Sequence, residues 1–229
     1  MARLLPLAAA LCLAALAPTA DAALHVDVGD LALVPGETGY LDVTISSDSG
    51  DLLDIFGVEF RISTSGTTRL EFVDPPPDPQ LADPAYIFFG DSLAEFFPPA
   101  GAVSTTSTAN DTYIGGDGTI LMLGHAVPSS PGAILAQLQV TSATGAPPLV
   151  GDTFAISVES TFSPISANGS TTFFLDPVFS ELTYESDPGT VTMVPEPGMA
   201  VVFAVLGALG AVGLAVGRYR RGSALPPPA

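Results

Sequence analysis

Val34-Pro35-Gly36-Glu37-Thr38-Gly39-Tyr40-Leu41-Asp42-Val43-Thr44-Ile45 reads as a turn feeding a strand. Proline presets the backbone at the first corner of a β-turn, and glycine takes the positive φ of the second. Pro35-Gly36 therefore predicts a type II turn. Beyond it Leu41, Val43 and Ile45 alternate with Asp42 and Thr44, the two-residue period of a strand with one dry face. The period returns where Phe56, Val58, Phe60 and Ile62 alternate with Gly57, Glu59 and Arg61. It returns again where Ile134, Ala136, Leu138 and Val140 alternate with Leu135, Gln137, Gln139 and Thr141, and at Phe154, Ile156 and Val158. Shorter strands are expected over 24–28, 69–73, 119–125, 171–175, 182–185 and 190–194. Residues 91–97 suit one or two helical turns, and no stretch sustains a helical period. Ser130-Pro131-Gly132 and Ala146-Pro147-Pro148 break the chain, the prolines of 74–84 predict a stiff surface excursion, and 105–118 reads as irregular. About ten short strands without intervening helices predict an all-β fold, an antiparallel jelly-roll-like sandwich.

The two ends have a different character. Met1-Ala2-Arg3, an apolar run from Leu4 to Ala17 and Pro18-Thr19-Ala20-Asp21-Ala22 follow the order of a secretory signal peptide. The run is about 14 residues, short of the length a bilayer span needs. Ala20 and Ala22 fit the small pockets of signal peptidase, which places the cut after Ala22 and makes 1–22 the signal peptide. The single cysteine, Cys12, leaves with it, so residues 23–193 have no disulfide framework. At the other end, Val194-Pro195-Glu196-Pro197-Gly198 precedes an uncharged run over 199–217, followed by Arg218-Tyr219-Arg220-Arg221. That run is long enough for one transmembrane helix, and Arg218, Arg220 and Arg221 would hold its end on the cytoplasmic side.

The Pro195-Glu196-Pro197 triplet, the span and the basic stop resemble the PEP-CTERM sorting signal of Gram-negative bacteria, a tail also called the ice-binding protein C-terminal domain. The resemblance implies an inner-membrane anchor, held at least transiently. It also implies processing near the triplet by an exosortase and delivery to the cell surface or extracellular matrix. It covers 194–221, and a short tail, 222–229, runs on past the arginines. A sorting tag says nothing about the domain it carries.

Residues 23–193 are long enough for one domain with its own core. Val26-Asp27-Val28-Gly29, the opening turn and strand, Phe56-Gly57-Val58-Glu59-Phe60-Arg61-Ile62 and Leu70-Glu71-Phe72-Val73 resemble the first strands of a cohesin domain. Gly132-Ala133-Ile134-Leu135-Ala136-Gln137-Leu138-Gln139-Val140 is similar to its later glycine-led strand, and Gly189-Thr190-Val191-Thr192 to its closing one. Ser63-Thr64-Ser65-Gly66-Thr67-Thr68 stands where cohesins usually carry a tyrosine-aspartate turn. The resemblance implies a cohesin-like sandwich and a role in protein docking.

Charge and chemistry narrow the function. Arg61 and Arg69 face 22 of the chain's 24 carboxylates in this domain, a formal charge of −20, which repels nucleic acid. His25 and His125 are the only histidines, and no Gly-x-Ser-x-Gly elbow exists, so no catalytic residue is identified and no enzyme is expected. The chain has no tryptophan, which leaves few aromatic platforms for sugars; a carbohydrate-binding module acting on extracellular polysaccharide is the alternative reading. Asp48, Asp51 and Asp54, and Asn110, Asp111 and Asp117, place oxygen ligands of the kind calcium takes, without EF-hand spacing. Signal peptidase and exosortase are the expected processing partners; a surface protein or exopolysaccharide is the expected ligand.

Overall fold

The computed structural model describes residues 24–63, 66–96, 104–160, 172–196 and 198. The cleavage residues Ala20 and Ala22, Pro197 of the sorting triplet, the apolar run 199–217 and Arg218, Arg220 and Arg221 lie outside the described residues.

Two sheets pack face to face. In one, β1 (Leu24–Val28) lies between β13 (Tyr184–Asp187) and β3 (Thr38–Ser47), and β10 (Ala133–Ser142) and β6 (Leu70–Phe72) complete the order β13-β1-β3-β10-β6. The other runs β2 (Leu31–Leu33), β14 (Gly189–Met193), β11 (Thr153–Val158), β5 (Ile55–Ile62), β8 (Thr112–Gly118), β7 (Ser104–Thr106), with β12 (Phe173–Leu175) also on β5. A small ribbon joins β4 (Leu52–Leu53) to β9 (His125–Ala126). The alternating residues of β3, β5 and β11 point inward as their period demands, and the Phe60 and Phe72 rings pack at a tilt on Tyr113 at the centre, 6.0 and 5.8 Å away. The opening turn forms as expected, with Gly36 at φ 91° and the Glu37 amide donating to the Val34 carbonyl at 3.0 Å.

Most strand pairs are antiparallel, but β1–β13 and β2–β14 are parallel. The first two strands and the last two cross from one sheet to the other at the same place. β1 passes through Gly29-Asp30 into β2, β13 passes through Pro188 into β14, and the two crossings meet at Gly29 and Gly189. The Thr190 amide donates to the Asp30 carboxylate across this junction at 2.8 Å. Neither terminal strand shows this switch in its own alternation.

Three expectations need correction. Residues 105–118 are not irregular: they hold most of β7 and all of β8, paired with β5 from Arg61↔Thr112 to Ile55↔Gly118. Gly115, Gly116 and Gly118 hide the strand period, yet the pairing needs them. A Cβ on Gly116 would sit 2.8 Å from the Phe56 carbonyl oxygen, and one on Gly115 would sit 2.8 Å from the Tyr113 ring. Residues 119–125 do not form a strand; the chain turns there, and only His125 enters β9. In β10 a bulge between Ile134 and Ala136 turns Leu135 into the core and leaves Ile134 half-buried, so the strict alternation expected there is broken.

The strand registers define two poles. β5 runs from Ile55 to Ile62, β11 and β14 finish the same edge at Thr153 and Met193, and β3 starts beside it after the Gly36 turn. We call this the tail pole, because Pro195-Glu196 leaves from it. Residues 48–54, 89–96, 119–125 and 176–181 gather at the far pole. Eight residues of β5 separate the two, roughly 25 Å at strand rise.

Candidate docking surface

The far pole is built around a buried polar hub. Asp117, nearly buried, receives the Tyr86 hydroxyl at 2.7 Å, the Ser92 hydroxyl at 2.5 Å, the Ala94 amide at 3.2 Å and its neighbour Gly118's amide at 2.8 Å. Desolvation, and next the Asp117 charge, push the Tyr86 phenol far above its ordinary range, so it stays a proton donor. Two residues along the same face of β8's line, the Thr119 hydroxyl donates to the fully buried Asp54, whose Oδ2 has no hydrogen-bond partner among the described residues. Ser92 bridges Thr119, and the Ile120 amide donates to the Asp91 carbonyl at 3.0 Å. These bonds staple the 84–96 segment to the start of the 119–124 loop.

That loop and its neighbour carry the surface. Leu121 and Leu123 are 66% and 67% exposed, and Val178 and Phe179 on the adjacent loop are 76% and 53% exposed. Gly124, at φ 69°, lies against Pro177 and Leu52, so the two loops and β4 lie side by side. Met122 and Phe179 hold φ of 54° and 62°, a left-handed conformation that bulky side chains seldom adopt and that costs about 1–3 kcal/mol per residue. The Asp176 carboxylate holds the second loop by accepting from the Val178 and Ser180 amides at 2.9 and 2.7 Å. The structure thus maintains strained apolar residues at the tips of two stapled loops and leaves them in solvent. Sequence reading placed Leu121-Met122-Leu123 in a strand. A short unbroken apolar run also suits a buried strand, so the sequence carries no signal against that assignment.

The expected site residues fall in separate places. Asp48 is exposed on the loop after β3, and 3.8 Å separates it from the His25 ring. Asp51 accepts from the Ser47 and Ser49 hydroxyls, both at 2.7 Å. Asp54 and Asp117 belong to the buried hub rather than to loops. Asn110 and Asp111 lie toward the opposite pole, where Asp111 accepts from the Ser107 hydroxyl at 2.8 Å. Among the described residues no three histidine, cysteine or acidic side chains gather as metal ligands. His125 opens β9 edge-on to Phe88, ring centroids 5.9 Å apart, with Nε2 3.2 Å from Asp91. Pro195 and Glu196 are exposed directly beyond β14.

No family model matches the chain, and no curated protein matches it. Among solved structures, the sixth cohesin of scaffoldin B from Acetivibrio cellulolyticus, in complex with a Cel5 dockerin, is similar at 12% identity and a TM-score of 0.47, over 75% of this chain and 99% of that one. A cohesin from Clostridium acetobutylicum is similar at 15% identity and 0.43, over 76% and 92%. A non-cellulosomal cohesin from the archaeon Archaeoglobus fulgidus is similar at 8% identity and 0.43, over 78% and 96%.

Proposed function

We propose that this chain is a non-enzymatic docking or adhesion protein that presents the far pole of its sandwich to a protein partner. It is exported and held in the inner membrane of a Gram-negative bacterium by residues 199–217. An exosortase then sorts it through Pro195-Glu196-Pro197 to the cell surface or extracellular matrix. The observation that carries the docking role is the pair of left-handed apolar residues, Met122 and Phe179, held exposed on adjoining loops. A folded chain gains nothing by itself from keeping them there; a partner that covers them would. Asp51, Asp91 and Asp176 surround these loops, so the matching surface is an apolar ridge flanked by lysine or arginine.

The test is photocrosslinking from positions 121 and 179 on intact cells, followed by titration of the captured protein. Leu121→Asp with Leu123→Asp and Phe179→Asp is expected to weaken that binding by about 100-fold, as loss of central apolar anchors does, with the melting temperature kept. Unchanged affinity removes the far pole from the reading, and specific glycan-array binding that survives the substitutions replaces it with carbohydrate recognition. Calcium on the Asp48 and Asp51 carboxylates belongs to the same proposal, since Asp54 and Asp117 are enclosed in the hub and Asn110 and Asp111 lie at the other pole. There a chelator is expected to lower the melting temperature, and calorimetry showing no shift removes the ion.

A further inference from the structure

The last strand bears on which pole faces a membrane. Met193 is buried, and the Val194 amide donates to the Leu33 carbonyl at 2.9 Å, so the chain is bound to the sandwich up to that point. Pro195 and Glu196 then line a shallow groove with Val34, Pro35 and Val150. The uncharged run begins at Met199, so only residues 196–198 lie between Pro195 and it. Fully extended, the four links from Pro195 to Met199 reach roughly 14 Å, well short of the distance between the poles. The tail pole is therefore tethered close to any bilayer that holds the run.

Charge points the same way. Arg61 and Arg69 are the only lysines or arginines between Ala23 and Met193, and both stand at the tail pole. Arg61 is exposed beside the last residue of β5, and Arg69 precedes β6, its amide donating to the Ala146 carbonyl at 2.8 Å. Among the described residues neither is in a salt bridge. Glu37, Glu71, Asp111, Asp152 and Glu196 share this pole, so it too is acidic, but the two arginines offset part of that charge. At the far pole Asp48, Asp51, Asp91, Asp176, Glu181 and Glu185 stand without any arginine or lysine. A phosphate surface is repelled more strongly from that end, and guanidinium groups bind phosphate at the other. Leu149 and Val150, 64% and 57% exposed, give the tail pole an apolar tip beside the exit groove.

We propose that the tail pole rests on the phospholipid headgroups of the membrane that holds residues 199–217. Arg61 and Arg69 then face the phosphates and Leu149-Val150 sits at the acyl boundary, so the apolar loops of the far pole face away from the bilayer. This orientation rests on the reading of 199–217 as a span, and it explains how an anchored sandwich keeps its docking loops free. The test uses the full chain carrying Cys12→Ser in vesicles of phosphatidylethanolamine and phosphatidylglycerol. A fluorophore is placed on Val150→Cys or on Val178→Cys, with a quencher on the lipid headgroups. Severalfold stronger quenching at position 150 than at 178 is expected, and Arg61→Glu with Arg69→Glu is expected to narrow the difference. Equal or reversed quenching in a chain that floats with the vesicles overturns the orientation and leaves the span standing. A chain that does not float with them overturns the span, and the orientation with it.

Discussion

Replacing Asp117 by alanine is expected to lower the unfolding free energy of the sandwich by about 3–5 kcal/mol, the range for removing one member of a buried charged network. The substitution leaves the Tyr86 and Ser92 hydroxyls and the Ala94 amide without the acceptor they share. None of them reaches water easily, because Tyr86, Ser92 and Ala94 are all buried. Asp117→Asn keeps the shape and one acceptor oxygen, so its loss is expected to be smaller, although its amide nitrogen then meets donors. Denaturant titration of residues 23–196 measures both. If Asp117→Ala costs less than Asp117→Asn, the hub is not what holds the far pole. Binding supplies a second readout, since the same bonds staple the 84–96 segment beneath Leu121. Asp117→Asn is expected to weaken partner capture even where most of the protein remains folded.

The second large effect lies where the β1–β2 and β13–β14 crossings meet. A Cβ on Gly189 would sit 2.2 Å from the Gly29 carbonyl oxygen and 2.6 Å from that of Val28. Both obstacles are backbone held in β-pairing or a tight crossing, so neither swings aside as a side chain would. Gly189→Ala is therefore expected to cost about 3 kcal/mol, the upper end for inserting one carbon into a packed interior. Gly145→Ala is the control: its Cβ would meet nothing within 4 Å, and its φ is not positive. There the change is expected to be neutral or mildly stabilising, because alanine restricts the unfolded chain. Thermal unfolding of the two variants side by side tests the contrast. Equal melting temperatures would mean that the crossing can open without loss, and that the sandwich does not depend on both crossings meeting there.

The buried faces of β3, β5 and β11 were legible in the sequence because each strand reports its dry side through its own period of two. The opening turn was legible because proline and glycine restrict φ locally. β8 was not, because its glycines answer to atoms on β5 rather than to any period along the chain. The docking surface was the least legible part. Leu121-Met122-Leu123 has the composition of a core strand, and only the turn after Gly118, stapled through Ser92 and Asp91, carries it into solvent. Asp54 and Asp117 read as loop ligands, since composition cannot distinguish a solvated carboxylate from one enclosed by hydroxyls brought in from distant segments. The sequence by itself determined an all-β fold, an acidic stretch without cysteine between Ala23 and Met193, and the order of most of the strands, because those properties are local. Tertiary structure alone decided that β1–β2 and β13–β14 switch sheets where Gly29 meets Gly189. It also decided that both arginines share the pole where Pro195 emerges and that the strained apolar loops occupy the other. Each of these depends on segments far apart in the chain being brought together, and no local pattern encodes that meeting.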